Sequence, residues 1–466
     1  MELECIIFRR NIIFVEKSYN IWYYYRIICN NLEKRGEMDN MPVTKDIIEN
    51  IDKSRIRNLL ADNHISNEDI DNGMEKYLLL NKLLDEQKLS EIAVNEFLYR
   101  ELMYGHRRLV RVYGLQTARI IKRTSEWERF LNTYRCNSMD FNRIINTTMR
   151  ENEVLKVVAM KTEEENGILS KVEILFVFNM LKQNRTTRQY ENVNSYIPVH
   201  FDFERKIVML RVWNREMGAE ENTPNAQLDY VYSQLQEVLD FATKPISTNP
   251  QHVLYKMSKD LFENFFNQLP NIQDIEGKKQ CLNDIVNDML SGIALQNVET
   301  ENGKLTMNPD IIDMQEEVYK LIQQVALYDF LKDNSIKELL GNTDKYVSRI
   351  RFNDNDNLSA SLTGEKGVKC IYDAKTFMCI RNSLDLVESI VSIVVTFVKG
   401  KEKLVAKYDA ADNRFLTVHI LSNKYYSDRD FQEVWELYKK YESKNLRKVS
   451  AVRRQNDIAT ARELNA

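Results

Sequence analysis

The chain has 466 residues, three to four times the roughly 100–150 of a common single domain, so more than one core is expected. Charged residues make up 29% and apolar ones 43%, with 65 Lys+Arg against 69 Asp+Glu, a composition that excludes disordered and fibrous chains and favours no partner by net charge. Only 13 glycines and 7 prolines occur, against usual shares of about 7% and 5%, and no G-x-G-x-x-G, P-loop or G-x-S-x-G pattern is present, so the common nucleotide and esterase sites lose their signatures.

Residues 1–37 interrupt every apolar run with charge and offer neither a signal peptide nor a membrane span. Arg35-Gly36-Glu37 can be encoded by a purine-rich stretch like a bacterial ribosome-binding site, with Met38 and Met41 next, so translation is expected to begin there. The other reading is an aromatic segment, Trp22 to Tyr25, docking on the body.

From Thr44 to about Arg150 apolar residues recur at three and four without a proline, which predicts a run of helices. Ser66 is the expected N-cap of the helix carrying Leu78, Leu79, Leu80 and Leu83. From Val154 to Trp213 the strings VLKVVAM, SKVEILFVF, YIPVHFDF and IVMLRVW predict two hairpins of an antiparallel sheet. Helical spacing resumes after Pro224, with Pro250 placed for a first turn, and runs to about Leu340. Strand-like strings return from Lys345, among them the β-branched run Ile390–Val398, expected as a central strand, and a helix from Asp428 to about Lys444 closes the pattern.

The expected fold class is therefore α+β and multidomain. Its parts are an upstream extension (1–37), a helical domain (38–150), an antiparallel sheet (151–216), a helical segment (217–341), an α+β module (342–446) and a basic tail (447–466).

Chemistry-bearing residues are sparse. The six cysteines include no C-x-x-C, the five histidines are isolated, and neither pattern suits zinc, so reduced thiols and a cytoplasmic setting are expected with no metal. Asn353 to Asn357 resembles a calcium loop but lacks an oxygen ligand at Leu358 and the glycine after it, and reads as a hairpin turn.

The strongest charge feature is the basic stretch Arg100, Arg107, Arg108, Arg111, Arg119, Lys122 and Arg123, against the single acid Glu101. On a helix Arg100, Arg107, Arg111 and Lys122 share a face with Tyr104, a stripe able to neutralise phosphates while the ring stacks on a base. The same stripe could pair with acidic helices such as Asn67–Asp71. The basic loop Lys182, Arg185, Arg188 and the tail Arg447, Lys448, Arg453, Arg454 supply further cations.

The one catalytic pattern is VHFDFERK, where a period of two puts His200, Asp202, Glu204 and Lys206 on one face. Imidazole and carboxylates there, with Glu173 from the neighbouring hairpin, could hold Mg²⁺ for a metal-dependent nuclease. Polar residues on the wet face of a hairpin account for the same pattern. The leading expectation is a non-catalytic bacterial cytoplasmic protein binding nucleic acid or an acidic protein partner, in the setting of a mobile element or of antiviral (phage) defence. The nuclease or phosphodiesterase is the alternative.

Overall fold

The computed structural model describes residues 42–66, 73–117, 121–147, 149, 153–183, 190–215, 223–270, 272–291, 298–301, 304–307, 314–353, 359–364, 370–372, 375–400, 402–422 and 425–443. The extension 1–37, Arg119, Arg185, Arg188, the acidic stretch 67–71 and the basic tail lie outside them. Helices and antiparallel strands mix throughout, and no helix among the described residues is long and apolar enough to cross a membrane. The chain divides into two compact units, the first running to Val110 and over Leu115–Thr243, the second made of Arg111–Gly114 and Lys244 onward.

Among its described residues, unit 1 opens with four α-helices, α1 (Lys45–Glu49), α2 (Ile56–Asp62), α3 (Lys76–Asp85) and α4 (Glu91–Met103). Thr44 and Ser90 cap α1 and α4 by accepting backbone N–H groups. Glu75, not Ser66, stands at the N-cap of α3, which begins nine residues later than the expected cap would start it. Helical periodicity also fails after Met103: β1 (Leu109–Thr117) is a strand, and α5 (Thr124–Thr133) and β2 (Phe141–Asn142) follow. Val110, Val112 and Leu115 favour an extended chain, and Gly105 starts it. With φ at +42°, Gly105 turns so tightly that a Cβ would lie 2.6 Å from the Glu101 carbonyl oxygen.

The two expected hairpins form as β3 (Leu155–Glu165) with β4 (Ile168–Gln183), and β5 (Tyr190–Asp202) with β6 (Ile207–Val212). Asn166 and Gly167, both at positive φ, make the first turn. β4 and β5 also pair, giving the order β6-β5-β4-β3-β2. Both faces of this sheet are covered, which is why VEILFVF is nearly unbroken. Leu175, Val177 and Tyr196 join the core of α1–α4, while Phe176 and Phe201 meet Phe130 and Trp127 of α5 on the other side. Trp127 is fully buried and donates from its indole to the Ile121 carbonyl at 2.7 Å. The helix α6 (Pro224–Val238), capped by Thr223, adds Tyr230 against Phe178.

After the short strand β7 (Ala242–Lys244), unit 2 contains α7 (Pro250–Phe266), α8 (Ile272–Gly277), α9 (Lys279–Ser291), the small hairpin β8 (Val298–Glu301) with β9 (Lys304–Met307), α10 (Met314–Asp333) and α11 (Ile336–Gly341). Pro250 occupies the first turn of α7 as its position implied, behind the Asn249 cap. The β8–β9 hairpin breaks the helical run that the periodicity suggested. A sheet follows in the order β11-β10-β12-β13-β14, from β10 (Lys345–Asn353), β11 (Ser359–Thr363), β12 (Ser392–Lys399), β13 (Glu402–Asp409) and β14 (Leu416–Ile420). Helix α12 (Lys375–Val387) precedes β12, and α13 (residues 428–443) follows β14. The apolar run at Ile390–Val398 does form a central strand, with β12 paired on both sides and buried over most of its length.

Candidate functional site

The basic stretch does not form one helical face. Arg100 lies on α4 and is exposed, Tyr104 ends that helix, Arg107 and Arg108 sit in the turn, and Arg111 belongs to β1. Arg107 is fully buried in unit 1, where its guanidinium donates to the Asn50 backbone carbonyl and side-chain oxygen and to the Tyr196 carbonyl. Arg111 is buried in unit 2, its guanidinium 4.4 Å from the centre of the Phe415 ring. These two arginines therefore satisfy backbone oxygens and an aromatic face rather than lining a surface stripe. Arg123 is exposed and Arg108 and Lys122 are half-buried, so the segment keeps some cationic surface.

The catalytic pattern is also divided. β5 ends at Asp202, and Phe203 to Lys206 form the turn into β6, with Lys206 at φ +55°. Asp202 caps that turn, accepting the Arg205 N–H at 2.8 Å. Glu204 and Lys206 are exposed on it and do not continue the face of His200. Among the described residues no three His, Cys, Asp or Glu side chains come together in a way that could hold a metal ion.

His200 instead belongs to a different constellation. It lies directly across from Glu173 in the β4–β5 register, and its Nδ1 is 2.9 Å from a Glu173 oxygen. Tyr99 of α4 donates its hydroxyl to the other Glu173 oxygen at 2.5 Å. Arg211 of β6 reaches His200 Nε2 at 2.6 Å and places its guanidinium 4.5 Å over the Tyr104 ring. An arginine is always a donor, so Nε2 accepts and Nδ1 carries the proton given to Glu173. The result is a carboxylate and a guanidinium joined through the imidazole. Burial would raise the Glu173 pKa, but His200, Tyr99 and Arg211 outweigh it and hold the carboxyl down at about 2. Burial, then the Glu173 charge, pushes the Tyr99 hydroxyl far above the usual tyrosine range. With both ring nitrogens engaged, His200 has no lone pair for a metal or a substrate proton.

Of this group the sequence pattern picked out His200, Glu173 and Tyr104 but missed Tyr99 and Arg211. The available signal was Arg211 itself, a lone cation inside the apolar strand IVMLRVW, which must meet a buried partner. The pattern likewise missed a cleft of about 420 Å³ in unit 1, lined among others by Tyr134, Arg135, Cys136, Phe141, Asn142, Arg143 and Lys156. Those residues are scattered over an irregular segment whose spacing carries no motif.

In unit 2 the described residues gather exposed apolar side chains on two helices. Ile285 and Met289 stand one turn apart on α9, and Met314, Leu321 and Val325 lie along α10. The opposite side of α10, with Tyr319, Lys320, Gln323 and Leu327, is buried. Lys320 there bridges Glu317 and Asp385, each at 2.8 Å. No protein-family model matches the chain, and no curated protein matches it.

Proposed function

We propose that the protein is a non-catalytic, cytoplasmic binding component that engages a protein partner through the outward faces of α9 and α10. The observation that carries this reading is the concentration of apolar surface. Five of the ten large apolar residues exposed among the described positions, Ile285, Met289, Met314, Leu321 and Val325, sit on these two helices. Scattered exposed apolar residues are ordinary, whereas clustered ones mark contact surfaces. The spacing of Leu321 and Val325 sets them one above the other, as a helix-in-groove contact needs.

The test is the pair Leu321→Glu/Val325→Glu. Because both side chains are exposed, the melting temperature should stay within the small range of surface substitutions, while proteins co-purifying from the native host, or self-association seen by light scattering, should be lost. A lower melting temperature with an unchanged set of partners would assign the stripe to folding.

A nucleic-acid partner is the second reading, favoured by the exposure of Arg100 and Arg123. Fluorescence anisotropy with single-stranded DNA, duplex DNA and RNA, over a salt series with Mg²⁺ and with chelator, tests it. Binding that weakens with salt and with Arg100→Gln/Arg123→Gln supports it, absence of binding at low salt removes it, and strand cleavage with Mg²⁺ would restore the nuclease alternative.

A further inference from the structure

The cleft of unit 1 opens between the first turn of α4, the chain leaving α5, β2 and the start of β3. Its volume of about 420 Å³ falls within the roughly 300–1,000 Å³ of small-molecule sites. The chain leaves α5 by a tight reversal. The Arg135 N–H donates to the Asn132 carbonyl and the Cys136 N–H to the Leu131 carbonyl at 2.8 Å, with Arg135 at φ +56°. Glycine is the usual residue there. Arg135 stands, exposed, at the mouth of the cleft.

The walls carry cations, two carboxylates, aromatic faces and amides. Arg135 and Arg143 are exposed cations, while half-buried Lys156 pairs at 3.7 Å with Glu153, which lines the cleft together with Glu91. Burial pushes the Cys136 thiol pKa up, and Arg143 and Lys156 are near enough to oppose that rise in part. Phe141 supplies an aromatic face, with the Arg143 guanidinium 5.7 Å from its centre, and Tyr134 a second ring. Asn142 lines the same space, and its Oδ1 is a buried acceptor with no hydrogen-bond partner.

We infer that this cleft binds a nucleoside phosphate. The cations meet the phosphate, the aromatic and guanidinium planes take the flat base, and Asn142 Oδ1 accepts an N–H of the base edge. Neither a simple anion nor an apolar molecule would use all three. The same chemistry is offered by a free mononucleotide and by the end of a single strand.

Cys136 provides the readout. In the full-length protein, site-resolved mass spectrometry of iodoacetamide labelling follows Cys136 while the exposed Cys281 serves as the internal reference. AMP should slow labelling of Cys136 about tenfold at ten times its Kd and leave Cys281 unchanged. Arg143→Gln and Asn142→Ala should lose that protection, and Arg57→Gln, exposed on α2, should keep it. A 5′-phosphorylated pentanucleotide that protects at concentrations where AMP does not would make a strand end the source, and the reverse a free nucleotide. Both outcomes support the site. No protection by either, equal protection in Arg143→Gln, or protection by inorganic phosphate as strong as by AMP would overturn it.

Discussion

His200 donates its Nδ1 proton to Glu173 across the β4–β5 pair at 2.9 Å, while Arg211 occupies its other ring nitrogen. The imidazole bridges two opposite charges. Removing it strands a partly buried carboxylate and a fully buried guanidinium, and the loss of one partner in such a pair costs about 3 kcal/mol or more. His200→Ala should therefore lower the unfolding free energy in denaturant titrations by about that amount. Glu204→Ala, exposed in the turn, should leave it unchanged. Equal effects at the two positions would remove the structural role of the network.

The pH dependence of this network has a defined sign. The folded Glu173 carboxyl titrates at about 2, below its ordinary value of 4.5. Its contribution is complete above 4.5 and is lost as pH falls from there through 2. Unfolding curves between pH 5 and pH 2 should therefore be shallower for Glu173→Gln than for wild type. Parallel curves would place the acid sensitivity elsewhere.

What the sequence made legible depended on whether local pattern and tertiary burial agreed. The hairpins of β3 to β6, the central strand β12 and the start of α7 were readable because apolar runs, an Asn-Gly turn and Pro250 are local signals. The stretch 100–117 was not. Its arginines suggested a solvated helix, but Arg107 pairs with carbonyls contributed by Asn50 and Tyr196, contacts 57 and 89 residues away. No spacing within the stretch could reveal them. His200 and Glu173 stand out in the sequence as chemistry-bearing, yet only the Arg211 contact shows that both ring nitrogens are engaged.

Gly105 gives a direct test of the turn that separates α4 from β1. A methyl group there would press on the Glu101 backbone at 2.6 Å in a conformation that side chains resist, so neither term relaxes by rotating a side chain. Gly105→Ala should cost about 1–2 kcal/mol or more, read as a lower melting temperature. Gly167→Ala, also at positive φ but with nothing within 4 Å of its Cβ, should cost less. The difference between the two isolates the clash from the backbone term.

His106 adds a second pH effect with its own window. Burial, then the neighbouring Arg107 and Arg108, lower its pKa from 6.5, so the folded state holds the ring neutral where the unfolded chain would protonate it. Stability from this source is complete above pH 6.5 and declines as pH falls below it. The ring stacks on Trp213 at 4.4 Å, so His106→Phe should preserve the stacking while removing the titration. Melting temperatures measured from pH 7 to pH 5 should fall less in that variant. The same decline in both proteins would exclude His106 as the group responsible.

Arg135 separates folding from binding at one position. Its φ of +56° is a conformation that costs an ordinary side chain about 1–2 kcal/mol, part of which glycine returns through its freer unfolded chain. Arg135→Gly should therefore raise stability by about 0.5–1 kcal/mol, because the backbone hydrogen bonds of the reversal need no side chain. The same substitution removes one of the cations at the cleft mouth and should weaken AMP protection of Cys136. A residue kept for folding would lose stability when replaced, and a residue without a role would leave protection unchanged. Gained stability together with weakened protection is the combination expected if the Arg135 side chain serves the cleft and not the fold.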